Sequence, residues 1–216
     1  MKSIALLPGR GLYAVTDGPR PDLLDVVAQA LAGGARVVQY RDDTGDHRRR
    51  RAEAAGLKSL CHRHGALFIV DADVALAKEV AADGVHLGPD HADLASARDA
   101  LGAHAIIGVS CLASLERATT AIAAGASYLS FGAFFKSPTK PLAGHASIDL
   151  LRQTAAWGIP RVAIGGITPD NGKLLVDAGT DFIAAVSAIF GAADVRAAAQ
   201  RLTDLYAIDH DHGTPA

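Results

Sequence analysis

Hydrophobic positions along the chain recur in one repeated arrangement. The segments ALAGGARVVQY, EVAADGVHLG, AIAAGASYLSF and LVDAGTDFIAA each close an Ala/Leu-rich helical stretch, turn on a glycine and enter a short apolar run. Glycine suits the left-handed position just past a helix end, where a β-carbon is strained. The four glycines, Gly34, Gly84, Gly125 and Gly179, are separated by 50, 41 and 54 residues, about two βα units each time. Further apolar runs fill the gaps: LYAVTD (Leu12 to Asp17), LFIVD (Leu67 to Asp71), AIIGVS (Ala105 to Ser110) and RVAIGG (Arg161 to Gly166). Continuous apolar runs of this length predict parallel strands covered on both faces. The intervening patterns predict helices near 21–32, 47–64, 73–82, 92–101, 114–124, 147–156, 169–178 and 194–206.

Eight such units in 216 residues are the arithmetic of a compact (β/α)8 TIM barrel, an α/β fold. A doubly wound open sheet is the alternative, but no Gly-x-Gly-x-x-Gly follows the first strand. Without a linker or a break in composition, 1–216 reads as a single domain. The barrel occupies about 11–206, and 207–216 reads as a flexible tail.

Composition sharpens this picture in a few places. Half the residues are hydrophobic and the formal net charge is -2, which argues against a nucleic-acid binder. The run Ile4 to Leu7 is too short for a signal peptide or membrane span, and Cys61 and Cys111 form no disulfide framework, so a soluble cytoplasmic protein is expected. The basic run His47 to Arg51 reads as a solvated helix face, and His210 and His212 as part of a frayed terminus. Ala-rich helices such as TTAIAAGA are compatible with close packing in a homo-oligomer.

In a barrel of this kind the chemistry lies at the C-terminal ends of the strands. There the sequence gathers Thr16 and Asp17, Gln39 and Arg41, Asp71, Gly88, Ser110, Gly132, Gly165 and Gly166, and Val186 and Ser187. Gly165 and Gly166, with the Val186-Ser187 turn, suit a phosphate cradled by backbone N–H groups. Gln39 and Arg41 alternate onto one strand face, where an arginine calls for an anion or a paired carboxylate. The loop SFGAFFKSPTKPLAG carries Lys136, Ser137, Thr139 and Lys140 around two prolines, as an anion-binding loop would. His86 alternates so that it faces either the pocket or a structural partner.

The motifs GLYAVTD, QYR, ADGVHLG, IIGVSC, SPTKP, VAIGGITPDN and VSAIFGA, in register from Gly11 to Ala193, resemble the thiamine phosphate synthase family. The resemblance implies transfer of a pyrimidine methyl group from its diphosphate to the nitrogen of a thiazole phosphate. Diphosphate departs first, leaving a pyrimidine carbocation, and Mg2+ assists the departure. Carried onto this sequence, Gln39, Arg41 and Lys140 hold the diphosphate, and Ser110 lies beside pyrimidine and diphosphate. Ser137 and Thr139 meet the thiazole phosphate, with Gly166, Val186 and Ser187 around it. Arg41, Ser110 and Lys140 are the expected catalytic residues, and Asp71 and Gly165 join the substrate-binding set.

The sequence departs from the family on the metal and diphosphate side. A lysine expected after Gln39 and Arg41 is Asp43, and the positions of the two magnesium aspartates are Ala72 and His91. Asp71, Asp73 and Asp90 remain to rebuild a carboxylate site, since magnesium prefers hard oxygen ligands. At an effective dielectric near 20, reversing a charge ~4 Å from a diphosphate changes the interaction by several kcal/mol. Two other readings stay open: a non-catalytic relative that binds a phosphate ligand as sensor or partner subunit, and a thiazole tautomerase-like isomerase. The latter expects a histidine where Leu112 stands.

Overall fold

The apolar runs close into a single ring in the computed structural model, which describes residues 5–89, 93–136 and 146–207. Eight strands form a closed parallel barrel in chain order. They are β1 (Gly11–Val15), β2 (Ala35–Tyr40), β3 (Leu67–Asp71), β4 (Gly84–Leu87), β5 (Ile106–Leu112), β6 (Tyr128–Phe131), β7 (Arg161–Ile164) and β8 (Phe182–Ala185). The helices are α1 (Leu23–Ala32), α2 (His47–Arg63), α3 (Val74–Glu79), α4 (Leu94–Leu101), α5 (Leu115–Ala123), α6 (Asp149–Gln153), α7 (Pro169–Asp177), α8 (Ser187–Phe190) and α9 (Val195–Thr203). The expected barrel is therefore the observed one, and the open sheet is excluded by the β1–β8 pairing, Leu12 opposite Ile183. Among the described residues no helix is long and apolar enough to cross a membrane.

Alternation along each strand divides the core in two. One set, including Leu12, Val38, Phe68, Val85, Ile107 and Leu129, packs outward against the helices. The other, including Tyr13, Val37, Ile69, Tyr128, Val162 and Phe182, fills the barrel. Two glycines make room inside. A β-carbon on Gly84 would lie 1.7 Å from the Ile106 carbonyl oxygen, and one on Gly108 would lie 2.0 Å from the Tyr128 ring. Leu7, from the apolar run that precedes β1, joins the interior set and donates its N–H to Ser127 O at 3.3 Å. It therefore closes the end of the barrel where the strands begin, a role the sequence pattern does not announce.

Several helices are shorter than expected, and two of the differences have clear local reasons. The segment predicted as one helix over 147–156 is cut after Gln153, and a 3₁₀ turn follows over Ala155–Trp157. Thr154 is fully buried and returns its hydroxyl to Leu150 O at 2.8 Å, competing with the helical bond pattern. The α3 helix starts one residue late because Asp73 serves as its N-cap, accepting from the Leu76 N–H at 2.9 Å.

The α2 helix is anchored beside the barrel mouth by a charged cluster. Asp42, just past β2, has a fully buried side chain paired with Arg49 at 2.7 Å. Arg49 also reaches Glu53 at 3.0 Å, and Tyr40 donates to Glu53 at 2.6 Å. Burial alone would raise the Asp42 carboxyl, but hydrogen bonds from Arg49 and Thr44 outweigh it and hold it at about 2. A carboxyl depressed on folding stabilises the fold above its unfolded value and loses that contribution as pH falls through the folded one. Asp42→Asn should therefore cost about 2 kcal/mol at neutral pH and almost nothing near pH 2. Denaturant titrations at the two pH values check this.

Candidate active site

The expected strand-end residues meet at the C-terminal mouth, and their positions follow from register. Val15 stands opposite Gln39, and Thr16 continues the ladder by donating its N–H to Gln39 O at 3.0 Å. The Thr16 hydroxyl then accepts from the Arg41 N–H at 2.8 Å and donates to Arg41 O at 3.2 Å. Arg41 is thus fixed by its backbone while its side chain, half-buried, forms no ion pair among the described residues. The paired-carboxylate reading of Arg41 finds no support there, because Asp42 faces Arg49 and Asp73 faces Arg50. Asp43 is exposed, so solvent and salt weaken its interaction with a bound anion.

Below the mouth runs a chain of polar side chains. Gln39 donates through Nε2 to Asp71 Oδ1 at 2.7 Å and accepts from the Tyr13 hydroxyl at 2.7 Å. The Tyr13 and Tyr128 hydroxyls are 2.8 Å apart, and Tyr128 is 3.0 Å from His86 Nδ1. His86 Nε2 lies 3.3 Å from the Ser130 hydroxyl. Burial raises both phenols far above their ordinary range and pushes the His86 ring down to about 4, so all three are neutral at physiological pH. His86 therefore faces the interior and is partnered there. Tyr13, Tyr128 and Ser130 were not singled out in the sequence. The available signal was alternation, since Tyr13 and Val15, or Tyr128 and Ser130, share the inward face.

The remaining expected residues divide clearly. Ser110 stands opposite Ser130 near the end of β5. Gly165 and Gly166 follow β7 at φ of 106° and 64°, conformations that favour glycine. The Gly166 N–H donates to no backbone acceptor among the described residues, and the first two N–H groups of α8, on Ser187 and Ala188, lie beyond intrahelical reach. The stretch leading to the expected loop is tied to this rim: Phe135 donates to Gly165 O at 3.0 Å, and Ala146 to Ala133 O at 2.7 Å. Ser137, Thr139 and Lys140 lie outside the described residues, as do Asp90 and His91. Lys136, the last described residue before the loop, is exposed.

The expected carboxylate trio is altered by what Asp73 does. One of its oxygens caps α3 and the other pairs with Arg50 at 2.9 Å. Asp71 alone, of the two described, stands on the inner face. Among the described residues no group of three His, Cys, Asp or Glu side chains could hold a metal. Ala72, between the two aspartates, is left-handed at φ 57°, a region that asparagine and aspartate enter more readily than alanine. Ala72→Gly should therefore stabilise the protein by about 0.5–1 kcal/mol, measurable by denaturant unfolding.

A groove of about 430 Å³ near the start of α1 is lined by Pro19, Arg20, Leu24, Arg49 and Glu53, but contains none of the inward strand-end residues. Its arginines are already paired, Arg20 with Asp22 and Arg49 with Asp42. The mouth of the barrel is the chemically equipped site.

Comparison with known proteins gives a consistent result. A family model described as thiamine monophosphate synthase matches residues 12–189. The thiamine-phosphate synthase of Chromobacterium violaceum is 53% identical over 194 residues, 89% of this chain and 94% of the relative. That of Halorhodospira halophila is 52% identical over 193 residues, 89% of this chain and 92% of the relative. Among solved structures, thiamine phosphate pyrophosphorylase from Pyrococcus furiosus superimposes with a TM-score of 0.81 at 37% identity, covering 90% of this chain and 94% of its own.

Proposed function

The chain belongs to the thiamine monophosphate synthase family, and from that premise we propose how its own residues carry the reaction. The activity is that of a thiamine phosphate synthase, a transferase joining 4-amino-2-methyl-5-pyrimidylmethyl diphosphate to 4-methyl-5-thiazole ethyl phosphate. The bond from the pyrimidine methylene carbon to the diphosphate oxygen breaks, and the oxygen keeps the electron pair. The thiazole nitrogen then supplies its lone pair to the carbocation, forming the new C–N bond.

The observation that carries the assignment is the Thr16-braced Arg41, a guanidinium with no carboxylate partner among the described residues beside an inward Gln39. A diphosphate offers it paired oxygens at the geometry of its fork. Gln39 adds an N–H donor, and Lys140 a further cation. Ser110 sits beside the pyrimidine methylene. On the opposite side of the mouth, the backbone around Gly165, Gly166, Val186 and Ser187 receives the thiazole phosphate, with Ser137 and Thr139 closing over it. The two substrates are thereby held as separate anions on facing sides, their reacting centres between them.

Magnesium fits this arrangement in a reduced form. It commonly takes one or two carboxylates and completes its shell with water and substrate phosphate oxygens. Asp71 and Asp90 would hold it, whereas Asp73 is committed to Arg50 and the α3 cap. When bound, it would neutralise charge on the departing diphosphate. We place the enzyme in the cytoplasm as a possible homo-oligomer acting on small molecules, without nucleic-acid or membrane partners.

The test is thiamine phosphate formation by the purified protein from both substrates, with magnesium titrated. Magnesium-dependent turnover is expected, lost in Asp71→Asn. Ala72→Asp should lower the magnesium concentration for half-maximal rate, since it adds a hard-oxygen ligand at a backbone geometry aspartate tolerates. Turnover indifferent to magnesium in all three proteins would overturn the metal assignment.

A further inference from the structure

The polar chain inside the barrel has a direction, and one charge sets it. At neutral pH a carboxylate only accepts hydrogen bonds, so the group facing Asp71 must be the Gln39 amide nitrogen, as observed at 2.7 Å. Gln39 Oε1 is then turned to Tyr13, which must donate to it. With its single proton so used, Tyr13 can only accept from Tyr128, and Tyr128 in turn can only accept from His86 Nδ1. The His86 ring, neutral, thus carries its proton on Nδ1 and leaves Nε2 to accept from Ser130. Five hydrogen bonds run one way, from Ser130 to Asp71, with no choice left at any link.

We propose that Tyr13, Tyr128 and His86 are positioning residues, a directed relay that locks the Gln39 amide in one orientation and aims its second Nε2–H at the bound diphosphate. Gln39 has no other partner among the described residues, so that N–H is available. Without the Tyr13 donor, Gln39 Oε1 loses its partner and the amide is held by Asp71 alone, so its second Nε2–H can swing out of line with the anion. The relay also aligns its dipoles toward Asp71 and so favours the carboxylate at the mouth. Burial keeps both phenols protonated, as the relay requires. Gly108 belongs to the same device, because any β-carbon there would strike the Tyr128 ring. This inference rests on the assignment of Gln39 to the diphosphate.

Two measurements test it. In the ¹⁵N-labelled wild-type protein, the His86 ring (identified by its loss in His86→Asn) should show a proton on Nδ1 and a bare Nε2. A proton on Nε2 would overturn the relay. In steady-state kinetics, Tyr13→Phe should raise KM for the pyrimidine diphosphate about tenfold and leave KM for the thiazole phosphate within about twofold. His86→Leu should behave alike, whereas His86→Asn, which keeps an amide N–H near the place of Nδ1, should restore most of the affinity. If Gln39→Ala raises the pyrimidine KM but Tyr13→Phe does not, the positioning role fails alone. If Gln39→Ala leaves that KM unchanged, the diphosphate assignment fails and the positioning role with it.

Discussion

Arg41→Ala should lower kcat/KM for the pyrimidine diphosphate by about a thousandfold while leaving the unfolding midpoint nearly unchanged. The two halves of this expectation have different origins. The backbone of Arg41 is held by both hydrogen bonds to Thr16, which alanine preserves. Its side chain supports no ion pair among the described residues, so no buried carboxylate is stranded by its loss. The catalytic loss is that of a charge-assisted, two-pronged contact to a leaving group whose negative charge grows as the C–O bond breaks. Such contacts strengthen in the transition state, so kcat should fall along with kcat/KM. Arg41→Lys should recover only part of the rate, because an ammonium keeps the charge and loses the fork. A thousandfold loss accompanied by a large drop in stability would instead mark Arg41 as structural. Rates within about threefold of wild type would remove it from the site altogether.

How much of this was legible in the sequence depends on the range of the interaction involved. Strand and helix identities came from local apolar patterning and from glycines such as Gly34 and Gly179, both of which have positive φ just after a helix. The inward pair Gln39 and Arg41 followed from alternation alone. What was not legible depends on contacts distant in sequence. Tyr13 and Tyr128 look like ordinary strand aromatics until barrel closure brings their hydroxyls to 2.8 Å across 115 residues. Asp73 read as a metal ligand because its competing partner, Arg50, lies 23 residues earlier on a different helix. That Asp43 is exposed could likewise only be seen in the fold. The family resemblance supplied roles for Ser137, Thr139 and Lys140 that patterning could not, since polar residues around prolines suit any turn.

Gly166→Ala should reduce kcat/KM for the thiazole phosphate by about a hundredfold, and a second glycine serves as its control. Gly166 has φ 64° and Gly158 has φ 67°, so alanine pays nearly the same backbone strain at either, about 1 kcal/mol. Their surroundings differ completely. Nothing lies within 4 Å of a β-carbon at Gly158, whereas one at Gly166 would meet Lys136 O at 2.5 Å and Phe135 O at 2.7 Å. These are backbone atoms, which cannot rotate aside as a side-chain tip can. The Phe135–Lys136 segment, tied to this rim through the Phe135 N–H on Gly165 O, must therefore shift. That segment leads directly into Ser137 and Thr139, the side chains assigned to the thiazole phosphate. The added carbon also stands beside the Gly166 N–H, the donor assigned to the same anion. Gly158→Ala should accordingly cost stability without changing either KM. Gly166→Ala should cost more stability and raise KM for the thiazole phosphate far more than KM for the pyrimidine diphosphate. Equal changes in the two KM values would mean that the loop after β6 serves both anions through one rigid body. An unchanged thiazole KM would mean that the phosphate is held away from Gly166.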